Sequence, residues 1–577
     1  MTQLDESKLS NEARKNIEHW LRDEKHGFYK EELEILIRNE EWEILEDSFF
    51  RVLPFGTGGR RGTCGIGSNR INRITIGETQ QALCEYLKEI YPDKELKIAI
   101  AYDSRLTSKE FASYCAQVAS GNGVTVYLFD GPRSTPELSY VVRELQLDAG
   151  VVITASHNPS SDNGIKLYWS DGGQLVPPHD KNILNIANSV NRINDSDKDP
   201  ATDPLVTFIG DQIDNHYWSA ALKNALFDKN RDIKIAYSPL HGTGITSVYP
   251  ALQKAGFEVI LLEEQASMDG RFPNVTNHIP NPEVPAANDK LATFALQENC
   301  DIATSNDPDA DRFCILVAHR GEIVQLTGNQ AVTLMTDYVL GSLSKKGALT
   351  DKCFISSTIV TTDMLLALAE HYGVKAHSNL LVGFKYIGEQ INLLHDSGRE
   401  VFVCGGEESY GGIIGDYCRD KDAAGPTLAL SEFAAVLKSE GRTLIDKLDE
   451  LYANYGVYLE DLHSITFPGA EGFLQMQHFM DSLRSKPPKK IAGELVVKIK
   501  DYNLGKEIPG RAENVIRLEL SNDGRNRVTV RPSGTEPKLK IYTQVFVPVD
   551  GDLQQAKNQA TARILSYKDG IESFIGL

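Results

Sequence analysis

Apolar positions return along this chain with two periods, one near 3.6 residues and one set by short unbroken runs. Ile17, Trp20 and Leu21, then Leu33, Ile35 and Leu36, recur at helical spacing, which predicts helices over 12–23 and 31–49 and reads as a helical arm. Beyond it, apolar runs predict strands in one repeated order. A strand over 96–102 leads into a polar loop over 103–107, a helix over 109–120 and a second strand over 124–129. A strand over 233–237, a loop over 238–244, a helix ending at Ala255 and a strand over 259–262 repeat that order. A strand over 353–356, a helix over 364–371 and a strand from Val374 repeat it again. Three βαβ units predict three α/β domains. After about residue 455 the runs shorten, with strands expected over 457–459, 494–499, 515–520, 528–531 and 538–545 and a final helix, which predicts a fourth, α+β domain. The expected division is an arm over 1–50, α/β domains over 51–215, 216–327 and 328–455, and the last domain over 456–577.

Each βαβ unit is followed by one more apolar strand that ends in a loop of unusual chemistry. Residues 149–153 run into Thr154-Ala-Ser-His-Asn-Pro159, residues 301–303 into Asn306-Asp-Pro-Asp-Ala-Asp-Arg312, and residues 400–403 into Gly405-Gly-Glu-Glu-Ser409. The repeat sets three different loops at equivalent places, the carboxyl ends of strands where open α/β sheets hold ligands.

In the first loop Ser156 can present a hydroxyl, with His157 and Asn158 as hydrogen-bonding neighbours; taken alone, such a turn is more often plain structure than a site. It is no hydrolase elbow, since G-x-S-x-G is absent. In the second, Asp307, Asp309 and Asp311 alternate around Pro308, so three carboxylates can converge on one hard cation. A calcium EF-hand is excluded by Arg312 and Ala318 at its sixth and twelfth positions, and Mg²⁺ completed by a phosphoryl oxygen fits three carboxylates better. In the third, Glu407 and Ser409 suit sugar hydroxyls. A fourth loop, Arg531-Pro-Ser-Gly-Thr-Glu-Pro537, offers a guanidinium, two hydroxyls and a glycine that lets backbone approach a phosphate. Gly242-Thr-Gly244, with Glu263 about twenty residues on, imitates a dinucleotide fingerprint, but Ser247 stands where the third glycine belongs and Ser238 to Gly242 separates strand from turn.

Composition narrows the classes. At 577 residues the chain has room for about four domains. A net charge of −20 argues against nucleic acid or an anionic membrane as partner, and leaves an anionic ligand possible only in a local basic pocket. The first residues are polar without an apolar core, no run of 18 apolar residues occurs, and the eight cysteines lack C-x-x-C spacing, so the expectation is a cytoplasmic protein with reduced thiols.

Together and in this order the loops resemble the α-D-phosphohexomutase family of phosphoglucomutases and phosphomannomutases. The likeness runs from Phe55 to Tyr542, through Phe55-Gly-Thr57 with Arg61-Gly62, Tyr102-Asp-Ser-Arg105, Ser238-Pro-Leu-His-Gly-Thr-Gly244, Pro280-Asn-Pro-Glu283 and Gly383-Phe-Lys385. Gly406-Glu-Glu-Ser-Tyr-Gly411 followed by Arg419-Asp-Lys-Asp422 resembles the longer group within it, which also includes phosphopentomutases and glucose-1,6-bisphosphate synthases. Where many glucose- or mannose-specific members have a histidine just after the sugar loop, this chain has Tyr410-Gly411-Gly412. The resemblance implies four domains around one cleft, with Ser156 as the phosphoserine and one Mg²⁺ on Asp307, Asp309, Asp311 and a phosphoserine oxygen. It further implies Arg312 and His157 at the moving phosphoryl group, and His157, Lys166 and Lys421 as general acid/base candidates. Glu407 and Ser409 would meet the sugar, Arg531, Ser533, Gly534 and Thr535 the idle phosphate, and Arg61 and Lys385 would line the cleft. The implied activity is interconversion of glucose 1-phosphate and glucose 6-phosphate through glucose 1,6-bisphosphate, with mannose phosphates as further substrates, by a monomer or homodimer. Phosphomannomutase, phosphopentomutase, bisphosphate synthase and a non-catalytic sugar-phosphate sensor are the alternatives.

Overall fold

In the computed structural model, which describes residues 4–5, 7–54, 59–467, 469–533 and 538–575, the three βαβ segments build three sheets on one plan. In the first, Lys97–Tyr102 lies between Thr125–Phe129 and Ala149–Ile153, all parallel, and Asp162–Trp169 joins antiparallel beside Ala149–Ile153. In the second, Lys234–Ser238 lies between Glu258–Leu261 and Ile302–Asn306, with Phe313–His319 antiparallel outside them. In the third, Cys353–Thr358 lies between Lys375–Leu380 and Val401–Glu407, with Gly411–Ile414 antiparallel. The parallel centre explains the unbroken apolar runs: Ile98, Ala99, Ile100 and Ala101 are fully buried because crossover elements cover both faces.

The antiparallel fourth strand matters most for function. It makes each chemistry-bearing loop a hairpin that leaves the carboxyl end of a parallel strand and returns at once, with Ile153 paired to Ile165, Asn306 to Phe313 and Glu407 to Gly411. Each hairpin includes one non-glycine residue with left-handed backbone, Ser156 (φ 51°), Ala310 (φ 50°) and Tyr410 (φ 63°). Such a conformation costs about 1–3 kcal/mol and persists only where the surroundings hold it.

The fourth unit is an antiparallel sheet in the order Val457–Thr466, Lys538–Val547, Arg527–Pro532, Ile516–Glu519 and Lys498–Asp501, backed by the helix Leu553–Ile575. The strand expected over 494–499 divides instead. Glu494–Leu495 pairs with Lys490–Ile491 in a separate ribbon, while Lys498–Asp501 joins the main sheet, so one apolar run serves two partners. A helix at Gly469–Ser485 is also present. In the arm, the helix expected over 31–49 breaks into Lys30–Arg38 and Trp42–Phe49 at Glu40, whose φ is 55°. A straight helix would carry Leu33 and Phe49 about 24 Å apart along its axis; the break folds both onto Ile17 and Trp20, and onto Ile66 and Ile74 of the first unit. All eight cysteines are free thiols, and among the described residues no helix is long and apolar enough to cross a membrane.

The dinucleotide-like Gly242-Thr-Gly244 turn serves the protein's own backbone. A Cβ on Gly242 would fall 2.3 Å from Pro308 Cα, while Thr243 donates to the Pro308 carbonyl from its amide (2.8 Å) and its hydroxyl (2.9 Å). The glycine therefore lets the second unit's first loop cradle its acidic hairpin. Gly242→Ala is expected to lose about 1–3 kcal/mol of stability by overpacking, read by chemical denaturation; an unchanged midpoint would contradict the close approach.

Candidate active site

Local structure fixes Ser156 before any ligand is considered. Its carbonyl and those of Asn158, Pro159 and Asp162 all accept from the Arg105 guanidinium, at 2.6, 2.6, 2.7 and 2.8 Å. Arg105 is itself fixed by Asp103, whose Oδ2 lies 3.2 Å from its Nε and also accepts from the Thr154 hydroxyl at 2.6 Å. The Ser156 amide donates to the Thr154 hydroxyl oxygen at 2.8 Å. With its backbone so held, Ser156 Oγ donates to Asp307 Oδ2 at 2.6 Å and lies 3.1 Å from His157 Nδ1. Burial, then the cations Arg312 and Arg61, push the His157 imidazole well below its ordinary range, so it is neutral.

Asp307, Asp309 and Asp311 have no solvent-exposed surface, and their ligand oxygens lie within 4.8 Å of one another. Other units bring counter-charges, Lys166 Nζ lying 2.7 Å from Asp309 Oδ2 and 3.3 Å from Asp311 Oδ2 and Lys421 Nζ 2.7 Å from Asp311 Oδ2, while within the hairpin Arg312 Nε stands 3.8 Å from Asp307 Oδ2. The Thr135 hydroxyl donates to Asp309 Oδ2 at 2.8 Å, and the Arg312 amide to Asp307 Oδ1 at 3.0 Å. Burial and the neighbouring Asp311 and Asp309 hold the Asp307 carboxyl well above the usual carboxylate range. Burial and Asp309 raise Asp311, whereas at Asp309 burial is outweighed by Lys166, Lys421 and the Thr135 hydrogen bond together, which hold that carboxyl below its ordinary value. Asp309 Oδ1 and Asp311 Oδ1 remain buried with no hydrogen-bond partner. Unsatisfied, buried and oxygen-only, this donor set fits a hard divalent cation.

The other predicted residues arrive from the third and fourth units. Glu407 is buried and accepts from the Ser409 hydroxyl at 2.9 Å. Burial, then the neighbouring Glu407, push the Glu408 carboxyl up to about 7, and its Oε2 is buried without a hydrogen-bond partner. Arg531 forms a pair with Glu513, Nε and Nη2 lying 2.9 and 2.8 Å from Oε1. The Ser533 amide donates to the Lys538 carbonyl at 2.7 Å; Gly534 and Thr535 lie outside the described residues.

A cavity of about 160 Å³ brings Ser156, Lys166, Asp311, Arg312, Glu407, Ser409, Lys421, Arg531 and Arg61 into one wall, with Asp307 and Asp309 behind it. His157 faces an adjoining cavity of about 610 Å³, which shares Arg61. Lys385 lies in the wall of neither; its ammonium stands 3.5 Å from Asp180 Oδ2 and links the third unit to the first. Four further residues are built into the arrangement: Arg105 and Thr135 as already described, Glu283, which is ion-paired to Arg312, and Lys540, shared by both cavities. Arg105 was visible as a charged residue just after a strand; Thr135 carries no signal along the chain.

Three repeated α/β units and a smaller antiparallel unit, converging on a serine hairpin over a buried acidic triad, define an enzyme of phosphoryl transfer. The chain matches all four domain models of the phosphoglucomutase/phosphomannomutase family: alpha/beta/alpha domain I over 53–193, domain II over 215–321, domain III over 327–455 and the C-terminal domain over 494–551. It belongs to that family, and is an isomerase of the phosphotransferase kind. The phosphoglucomutase of Staphylococcus aureus strain N315 is 34% identical over 536 residues, covering 89% of this chain and 93% of its own. That of Staphylococcus epidermidis strain ATCC 12228 is 32% identical over 522 residues, covering 88% and 93%. The fold is shared with the putative phosphomannomutase of Thermus thermophilus (TM-score 0.67, 20% identity, 91% of this chain and 100% of that one). It is shared likewise with the open form of the Paramecium phosphoglucomutase parafusin (0.67, 18%, 90% and 95%).

Two outcomes test this geometry. Arg105→Lys, which keeps the charge but not the four-carbonyl grip, is expected to lower kcat/KM about a hundredfold by misplacing Ser156, with unchanged circular dichroism; retained activity would contradict the anchoring. Glu408 is raised from 4.5 to about 7 in the fold, so its contribution to stability is full below 4.5 and is lost as pH rises through about 7. Glu408→Gln should flatten that fall across the interval, as measured by urea midpoints against pH.

Proposed function

We propose that this chain is a phosphoglucomutase, interconverting glucose 1-phosphate and glucose 6-phosphate through a phosphoserine at Ser156. The observation that carries the reading is the Ser156 hydroxyl, 2.6 Å from a carboxylate of the buried triad and facing a cavity to which all four units contribute. The triad oxygens of Asp307, Asp309 and Asp311 would hold one Mg²⁺ together with a phosphoserine oxygen, and bound there it supplies charge neutralisation to the moving phosphoryl group.

The remaining work falls to side chains. Phosphorylated Ser156 gives its phosphoryl group to the free hydroxyl of a hexose phosphate: the new P–O bond forms on the sugar as the Ser156 Oγ–P bond breaks, yielding glucose 1,6-bisphosphate. The bisphosphate then turns end for end and returns its other phosphoryl group to Ser156. Arg312 and neutral His157 steady the group in transit, and His157, Lys166 and Lys421 are the candidates that move the sugar hydroxyl's proton. Glu407 accepts from sugar hydroxyls beside Ser409, and Arg531, Ser533, Gly534 and Thr535 hold the idle phosphate. This reading takes the arm as 1–50 and the domains as 51–215, 216–327, 328–455 and 456–577, and puts the enzyme in the cytoplasm as a monomer or homodimer.

The experiment measures isomer formation from glucose 1-phosphate with Mg²⁺ and a trace of glucose 1,6-bisphosphate, for native protein and Ser156→Ala. The expected result is turnover in the native protein that is abolished by the substitution and by chelation. Pentose phosphate turned over far faster than hexose phosphate, or full activity in Ser156→Ala, would overturn it.

A further inference from the structure

The reaction above leaves the outer cavity without a role. It adjoins the inner one, with Arg61 and Lys540 in both walls, and the Ser156 hairpin stands between them, serine facing inward and His157 outward. At about 160 Å³ the inner cavity is smaller than the ~300–1,000 Å³ that small-molecule sites occupy, whereas the outer, at about 610 Å³, lies within that range. A sugar bearing two phosphoryl groups, the intermediate of the function proposed above and the reading on which this inference rests, therefore extends from one into the other.

Part of the outer wall comes from the end of the arm and the residues after it: Asp47, Phe50 and Arg51. Arg51 is half-buried. Its Nε donates to Asn69 Oδ1 at 2.9 Å, its one side-chain hydrogen bond among the described residues. The guanidinium carbon stands 5.0 Å from the Phe50 ring centroid and 5.7 Å from that of Phe473, on the fourth unit's helix Gly469–Ser485. Three other arginines of the cleft have a carboxylate, Arg312 with Glu283, Arg531 with Glu513 and Arg70 with Asp47. Arg51 forms no ion pair among the described residues, because Asp47, the carboxylate acting on it, is held by Arg70. Two aromatic rings and Asn69 orient a cation, its Nη groups available as a fork, in the wall of a cavity that must accept an anion.

We propose that Arg51 binds a phosphoryl group in this outer cavity, holding the end of the bisphosphorylated sugar remote from Ser156 while the intermediate changes ends. The segment joining arm to first unit thereby serves the cleft as well as the fold. Were Arg51 only a bolt between Phe50 and Phe473, its loss would weaken mono- and bisphosphate binding alike.

Calorimetric binding of glucose 1,6-bisphosphate and of glucose 1-phosphate, in the full chain carrying Ser156→Ala to prevent transfer, separates these. Adding Arg51→Gln is expected to weaken the bisphosphate about tenfold, the worth of one charge-assisted hydrogen bond, and glucose 1-phosphate by less than about threefold. Arg51→Lys, which keeps the charge, should retain most of the affinity for the bisphosphate. With Ser156 present, Arg51→Gln should raise the bisphosphate released per turnover by a similar factor. Equal losses for both ligands, or no loss for either in a variant whose thermal unfolding matches the native protein, would overturn the proposal. Native protein that forms no isomer would instead overturn the phosphoglucomutase reading, and the contrast between the two ligands would still decide the role of Arg51.

Discussion

Burying three carboxylates within 4.8 Å of one another is opposed by desolvation and by their mutual repulsion. The hairpin over 307–312 meets only part of that opposition itself, through Arg312 Nε at 3.8 Å from Asp307 Oδ2. Lys166 reaches it from the first sheet, Lys421 from the loop after the third sheet's last strand, and Thr135 from the head of a first-unit helix. Beneath, Thr243 and the bare backbone of Gly242 hold Pro308 in place. Docking of the units and tolerance of the acidic triad are thus one constraint. Lys166, Lys421 and Arg312 against the three aspartates and Glu283, which Arg312 also pairs, leave a deficit of positive charge, and two carboxylate oxygens stay unpartnered, which is the electrostatic state that favours a divalent cation.

The repeated sheet plan turns that local constraint into a cleft. A parallel strand that reverses into an antiparallel neighbour delivers its hairpin at the sheet's carboxyl edge, and three units do this with different contents: a hydroxyl at 156, carboxylates at 307–311, and a carboxylate with a hydroxyl at 407–409. The bridge between Arg312 and Gly411 ties the second hairpin to the third, and the Phe313 amide donates to the Tyr410 carbonyl at 2.9 Å. The groups proposed for catalysis and binding are therefore spread over three units, which suits a reaction in which one phosphate must be held wherever the other reacts.

Much of this was legible in the chain. Apolar runs ending in polar loops marked the three hairpins, because central parallel strands are buried on both faces and their ends are not. The alternation at Asp307, Asp309 and Asp311 marked a candidate cation site, and the fold does bring the three carboxylates together. What escaped lies in contacts between units, where no periodicity operates. Thr135 meets Asp309 across 174 positions, and the pair Arg312–Glu283 joins a hairpin to a loop of irregular structure. Local strain escaped as well: the left-handed turn at Glu40 divides a stretch whose helical pattern is continuous, and the run over 494–499 is shared between two sheets. The glycines at 242 and 244, set aside above as a dinucleotide site because Ser247 replaces the third glycine, owe their ligand-like spacing to the closeness of Pro308 and Tyr237.

The account turns on Ser156 as the group that carries the phosphoryl between sugars, and its most direct test is mass spectrometry of the full-length protein after incubation with glucose 1,6-bisphosphate and Mg²⁺. The predicted result is one phosphoryl group per chain, mapped to Ser156 and removed on adding glucose 1-phosphate in excess. A phosphoryl group on another residue, or none on a protein that nonetheless forms isomer, would contradict it.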